Sequence, residues 1–186
     1  MLRPGDVLRK ATLDDLDALA GLIARSARGL GAADYSAEQI EGALRGAFGV
    51  DTQLIRDGTY FVVESGGRLV ACGGWGRRGT LFGGDTRPGR DAAELDPRQD
   101  AAKIRAFFID PNFERRGIGT ALLERCEQDA RAYGFTRFEL MATLTGLRLY
   151  TARGYFAGDP VRWPLGDGLT IEFVPMSKRA EHSVEH

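Results

Sequence analysis

Residues 101–134, AAKIRAFFIDPNFERRGIGTALLERCEQDARAYG, constrain the fold more than any other stretch of the chain. Lys103 to Ile109 is an apolar run holding Ile104, Phe107, Phe108 and Ile109, which predicts a buried strand. Asp110, Pro111 and Asn112 end it, because proline has no amide to give a ladder. Arg115-Arg116-Gly117-Ile118-Gly119-Thr120 then turns into a helix. Ile118, Leu122, Cys126 and Ala130 recur every four residues, as one face of an amphipathic helix does. Gly134 stands where a C-cap is expected.

The first amides of a helix have no partner within it and sit at the positive end of its dipole. Such an end holds phosphate well. Gly117 and Gly119 let an anion approach the backbone, and Arg115 and Arg116 add positive charge. An ordinary helix start with two flexible glycines reads the same way, and a short glycine motif does not separate the two. Spacing does narrow the phosphate binders. A Walker loop needs Lys and then Ser or Thr after its second glycine, whereas Thr120 and Ala121 follow Gly119. A dinucleotide-binding turn needs a third glycine where this chain has Leu122.

Phe108-Ile109-Asp110-Pro111, followed by Arg116-Gly117-Ile118-Gly119-Thr120-Ala121-Leu122-Leu123, resembles the acetyl-CoA-binding motif of the GNAT superfamily of N-acetyltransferases. Leu149-Tyr150-Thr151-Ala152-Arg153-Gly154-Tyr155-Phe156 resembles the second signature of that family, a Tyr shortly before Gly-aromatic. The resemblance covers about residues 7–176 and is firmest over 101–156. One position departs from it. The family's pattern opens with Gln or Arg three residues before the first glycine, where this chain has Glu114.

The resemblance implies an α/β fold: a single domain with a mixed sheet of about six to seven strands and helices on both faces. It also implies a splayed pair of central parallel strands, Ile104 to Ile109 and Thr136 to Thr143. The domain is expected over residues 1–176, with a polar tail at 177–186. The co-substrate implied is acetyl-CoA. Amides near Phe108 and Ile109 would hold its acetyl carbonyl and pantetheine arm. Arg115, Arg116, Gly117, Ile118, Gly119, Thr120 and Ala121 would hold its diphosphate. The acceptor would be a primary amine on a small molecule or a protein. Arg28 and Tyr35, at the first two helices, would lie within its reach. A homodimer is a further expectation from the family.

Tyr150 is the expected general acid. A phenol near pKa ~10 is protonated at neutral pH and can donate to a departing thiol near ~8.5. The family often takes its base from a Glu on the central strand, but that position here is Lys103, leaving Glu94, Asp100 and Asp85 acting through water. A noncatalytic acyl-CoA-binding module would share the phosphate turn and need no acid, so Tyr150 favours the enzyme.

Composition supports a globular chain: of 186 residues, 43% are hydrophobic and 27% charged, enough for one domain with a sizeable core. A net charge of −1 gives no electrostatic case for nucleic-acid binding. No apolar segment is long enough for a bilayer, and the N-terminus lacks the apolar core of a signal peptide, so a cytoplasmic location is expected. No metal-ligand spacing is present, and no metal is expected. Cys72 and Cys126 read as core residues, and His182 and His186 fall in the polar tail.

Elsewhere the chain predicts a first strand from Val7 to Ala11 and a helix capped by Thr12 running to about Ala27. Gly29 and Gly31 are expected to break that helix. Ser36 with Gln39 reads as a capping box for a second helix to about Ala47. Thr59 to Ser65 and Arg68 to Gly76 form a hairpin through Gly66-Gly67, with Gly73-Gly74 marking either a bulge or a close backbone approach. Arg77 to Asp100 is long for a connection and balances five arginines against five acids; it is either a substrate lid or a mobile insert. A short helix from Thr145 to Arg153 and two final strands, from Tyr155 and from Leu169, complete the reading.

Overall fold

A computed structural model describes residues 2–180; the expected tail positions His182 and His186 lie outside the described residues. The strands are β1 (Asp6–Lys10), β2 (Tyr60–Ser65), β3 (Arg68–Gly76), β4 (Ala102–Ile109), β5 (Arg137–Thr143), β6 (Phe156–Ala157), β7 (Val161–Gly166) and β8 (Leu169–Arg179). The helices are α1 (Leu16–Leu30), α2 (Ala37–Ala43), α3 (Thr52–Arg56), α4 (Ile118–Tyr133) and α5 (Leu147–Ala152). The eight strands form one sheet in the order β1-β2-β3-β4-β5-β8-β6, with β7 also pairing β8. The count exceeds the expected six to seven because the segment after Tyr155 divides at Gly158-Asp159-Pro160 into β6 and β7, both on one edge of β8. β8 itself runs through Arg179, three residues into the segment read as tail.

Side-chain alternation sorts each strand between two cores. Phe61 and Val63 of β2 join a cluster under α4 with Ile118, Leu122, Cys126 and Ala130. Tyr60 and Val62 join a second cluster under α1 and α2 with Leu19, Leu22, Ile23 and Ile40. Both cysteines are fully buried. Among the described residues no helix is long and apolar enough to cross a membrane.

One local reading shifts. Helix α1 continues past Gly29 to Leu30, and a Cβ at Gly29 would fall 2.3 Å from Pro111 Cγ. That glycine serves close packing of α1 on the turn after β4. Ser36 and Gln39 do form the capping box of α2, and Asp51 caps α3 through Leu54 N at 3.2 Å.

The sheet is held together unevenly at its centre. β4 and β5 run parallel but pair only at Ala102↔Phe138 and Lys103↔Glu139. Beyond those pairs the strands separate. On its other edge β4 bulges against β3, with a register shift between Cys72 and Gly74 and Ala106 at φ +60°. The freed Ala106 carbonyl accepts the Tyr60 hydroxyl at 3.4 Å, and that hydroxyl also lies 3.2 Å from Cys72 Sγ.

Candidate functional site

The gap between β4 and β5 ends at the turn that starts α4. Asp110 fixes where β4 stops: its carboxylate accepts Asn112 N at 3.0 Å, Arg68 at 2.7 Å and Arg25 at 3.2 Å. Arg115 and Gly117 then take left-handed backbone conformations, φ +58° and +79°. The first intrahelical bond is Ala121 N to Gly117 O at 3.0 Å. The amides of Ile118, Gly119 and Thr120 therefore have no protein acceptor among the described residues. Gly119 is glycine for packing: a Cβ there would lie 3.0 Å from Ile109 Cδ1 and 3.1 Å from Leu149 Cδ2.

A cleft of about 610 Å³ runs from these amides into the gap. Of the residues singled out from the sequence, it brings together Tyr35, Phe108, Ile109, Arg115, Gly117, Ile118, Gly119, Thr120 and Tyr150. Arg116 and Ala121 are not in its walls. The Arg116 guanidinium instead lies over the Phe113 ring at 4.6 Å, and the Ala121 amide is used inside α4. Glu114 does line the cleft, and so does Arg148 of α5, which sequence reasoning missed; only its position two residues before Tyr150 hinted at it. Arg115 and Arg148 together outweigh the one acid.

The strand amides face opposite ways. Ile109 N points across the gap and donates to Ser26 Oγ at 3.1 Å. Phe108 N faces β3, against the Cys72 thiol. Ser26 is a second wall residue that the sequence did not mark.

Tyr150 sits on α5, which Gly146 begins and Gly154, at φ +84°, closes. Its ring is 7% exposed and packs edge-on against Phe107 (6.2 Å) and Tyr155 (5.8 Å). Burial, and then the neighbouring Cys126 thiol, push the phenol above its ordinary value, so it stays protonated. Its hydroxyl has no protein hydrogen-bond partner among the described residues, which leaves the proton available to a ligand.

A second cavity of about 60 Å³ shares the walls Phe48, Phe107, Phe108, Thr143 and Tyr150 with the cleft. Its remaining walls include Met141 and Phe173 from the α1–α2 side, and Arg105. The Arg77 to Asp100 insert closes it. That arm packs on the body through Phe82, whose ring meets Trp163 at 4.9 Å and Phe173 at 5.5 Å, and Phe82 and Gly83 wall the cavity. No carboxylate lines this cavity among the described residues. The acids considered as bases lie elsewhere: Glu94 pairs with Arg77 and Arg78, Asp85 accepts Thr52 N, and Asp100 accepts Asp96 N. Lys103 pairs with Glu139 at 2.5 Å where the strands still touch.

Tyr35 is a clamp between elements. Its hydroxyl donates to Glu172 O at 2.7 Å and accepts Leu144 N at 2.8 Å, and burial pushes its pKa up to about 12. Arg28 forms an exposed ion pair with Glu41.

A search against curated proteins returned no match. Among solved structures, the chain is similar to the GCN5-related N-acetyltransferase of Rhodopseudomonas palustris: 20% identity, TM-score 0.69, covering 96% of this chain and 98% of that one. It is similar to the PaiA N-acetyltransferase of Thermoplasma acidophilum, solved in complex with coenzyme A: 16% identity, TM-score 0.63, covering 94% and 98%. It is also similar to the ribosomal-protein-alanine N-acetyltransferase of Brucella melitensis: 18% identity, TM-score 0.62, covering 93% and 99%. Likenesses at this identity establish the fold. A family model, described as the acetyltransferase (GNAT) family, matches residues 33–155, more than half of the chain. With a split central sheet, a helix start of unpartnered amides and that match together, the chain belongs to the acetyltransferase (GNAT) family.

Proposed function

We propose that this acetyltransferase moves an acetyl group from acetyl-CoA to a primary amine by direct attack within a ternary complex. The observation behind this reading is one continuous cleft: three unpartnered helix-start amides at one end, the β4/β5 gap along it, and the protonated Tyr150 at its inner wall.

The amides of Ile118, Gly119 and Thr120 would take the diphosphate, with Arg115 and Arg148 supplying countercharge against Glu114. The Ile109 amide, on a strand edge with no neighbouring strand, would take the arm that carries the thioester in place of the Ser26 hydroxyl to which it donates. The bound thioester supplies the electrophilic carbonyl and the leaving sulfur. Tyr150 donates its proton to that sulfur as the amine nitrogen bonds to the carbonyl carbon.

The amine must attack as the neutral base, and an alkylammonium has a pKa near ~10.4. The cavity that would receive it is walled by Phe48, Phe82, Phe107 and Phe173. Burial there, beside the Arg105 guanidinium that also stands in the wall, disfavours a second positive charge, so the proton leaves to solvent before or during approach. A base on the protein is then not required, in keeping with the absence of carboxylates from those walls.

The test is thiol release from acetyl-CoA across a panel of amines. The expected outcome is amine-dependent release that falls in Tyr150→Phe while coenzyme A still binds. Release equal in both proteins would overturn the assignment of the acid.

A further inference from the structure

A groove of about 1120 Å³ opens where β4 and β5 begin and β8 ends, and it shares no wall residue with the cleft. Its walls carry six cations, Lys103, Arg131, Arg137, Arg153, Lys178 and Arg179, against two acids, Asp100 and Glu139. In a chain of net charge −1, so local an excess of one sign is a property of the site and not of the composition.

Four of the six cations are already paired. Lys103 holds Glu139 at 2.5 Å. Arg131 and Lys178 share the buried Glu127, each at 2.9 Å. Arg153 pairs with Glu124. The second wall acid, Asp100, accepts the Asp96 amide at 2.8 Å. Arg137 and Arg179 have no carboxylate partner among the described residues, and Arg137 gives an N–H to Gln99 O.

These two arginines stand directly opposite each other on β5 and β8. Residues so paired point to one face of the sheet, with Cα atoms ~4.5–5.5 Å apart. Like charges in that position repel, and a neutral residue on either strand would relieve the repulsion. An anion between them reverses the sign of the interaction. Two planar guanidinium forks on adjacent strands can close on one phosphate, each through parallel N–H donors.

An aromatic ring stands beside this pair. Phe156 also walls the groove and is 78% exposed, more than any other large hydrophobic among the described residues. It lies opposite Ser177, which precedes Arg179 by two residues on β8 and so shares its face. One strand spacing and two residues of rise set Phe156 ~8 Å from the arginine pair, Cα to Cα. That is the reach from a nucleobase across one sugar to its phosphate.

We propose that this groove binds a nucleotide, with its phosphate between Arg137 and Arg179 and its base stacked on Phe156. The site is separate from the cleft assigned to acetyl-CoA and does not rest on the transfer reading. Its walls include the Lys103–Glu139 pair, so the ligand lies beside the contact at which β4 and β5 still touch.

The test is calorimetric titration of adenosine monophosphate into the full chain at fixed ionic strength, with inorganic phosphate and adenosine as the two half-ligands. One saturable site is expected, at least ~10-fold tighter for the nucleotide than for inorganic phosphate, as one base stack supplies. Arg137→Gln and Arg179→Gln should each weaken it ~10-fold or more, through loss of a charge-assisted phosphate contact. Phe156→Ser should abolish the preference over inorganic phosphate. Arg115→Gln, in the other cleft, should leave the nucleotide affinity unchanged. No binding, equal affinity for nucleotide and inorganic phosphate in wild type, or a loss in Arg115→Gln with none in Arg179→Gln would overturn the proposal.

A thermal melt separates ligand binding from folding. Arg179→Gln removes one of two like charges, so without nucleotide its melting temperature should equal or exceed that of wild type. The rise that adenosine monophosphate produces in wild type should be absent from it. A rise that persists in Arg179→Gln would overturn the site.

Discussion

Replacing Tyr150 with Phe isolates a single proton. The ring keeps its contacts with Phe107 at 6.2 Å and Tyr155 at 5.8 Å, so packing is conserved. The hydroxyl has no protein partner among the described residues, so its removal orphans no buried donor or acceptor. Stability should therefore change by no more than about 0.5 kcal/mol. A positioned general acid contributes ~10²–10⁴-fold. The lower end applies here, because a thiol near ~8.5 already leaves with little help at neutral pH. The expected loss in kcat is ~10²-fold, about 2.7 kcal/mol of barrier. Burial raises the phenol, so the wild-type rate should show no falling limb from Tyr150 below about pH 9. The gap between the two proteins should instead narrow above about pH 8.5, where the thiolate departs unassisted. The assay is thiol release at saturating acetyl-CoA, paired with calorimetric titration of coenzyme A and a thermal melt. An unaltered kcat refutes the reasoning, and so does a loss expressed wholly as weaker coenzyme A binding.

Three further outcomes follow from the packing. Gly119→Val pushes Ile109 Cδ1 (3.0 Å from the new Cβ) and Leu149 Cδ2 (3.1 Å) toward the cleft, an overpacking of ~1–3 kcal/mol, and should weaken coenzyme A binding about tenfold or more; unchanged affinity by calorimetry would count against an anion site at this helix start. Asp51→Asn leaves the guanidiniums of Arg90 and Arg105 short of a buried counter-ion, so denaturant unfolding should show a loss of ~3–5 kcal/mol, and a loss under ~1 kcal/mol would refute the pairing. Asp15 has its carboxyl held below the usual range, first by the Arg9 side chain, so its contribution to stability is present above the unfolded value near ~3.9 and disappears as pH falls through the lower folded value. In Asp15→Asn the melting temperature should fall less steeply below about pH 4 than in wild type; parallel acid limbs would contradict this.

The parts of the fold that the sequence revealed are those written in local chemistry. The strand before Asp110, the turn through Gly117 and the four-residue period of α4 each depend on residues close in the chain. The parts it hid depend on distant partners. Gly29 reads as a helix breaker until Pro111 is placed against it. Ala106 is an ordinary strand residue in sequence, and its φ of +60° accompanies the bulge against β3, where its carbonyl meets the Tyr60 hydroxyl from another strand. Arg116 reads as a phosphate ligand but spends its charge on the Phe113 ring, while Arg148 takes a place in the cleft. Arg87 is one of five arginines in a Gly-rich, charge-balanced stretch, a pattern that suggests solvent; its burial follows from Phe82 and from Trp163 of β7, a distant segment that only folding brings against the arm.

Two residue pairs, Ala102↔Phe138 and Lys103↔Glu139, are the only backbone ladder among the described residues between the β1–β4 and β5–β8 halves of the sheet. A molecule lying in the open gap beyond that ladder becomes a rung of the protein's own scaffold, so occupancy and mechanical integrity are linked. At 100 times its dissociation constant such a molecule adds about 2.7 kcal/mol to the folded state. Amide protons on both halves would then exchange more slowly together, because neither half can swing away while the rung is in place.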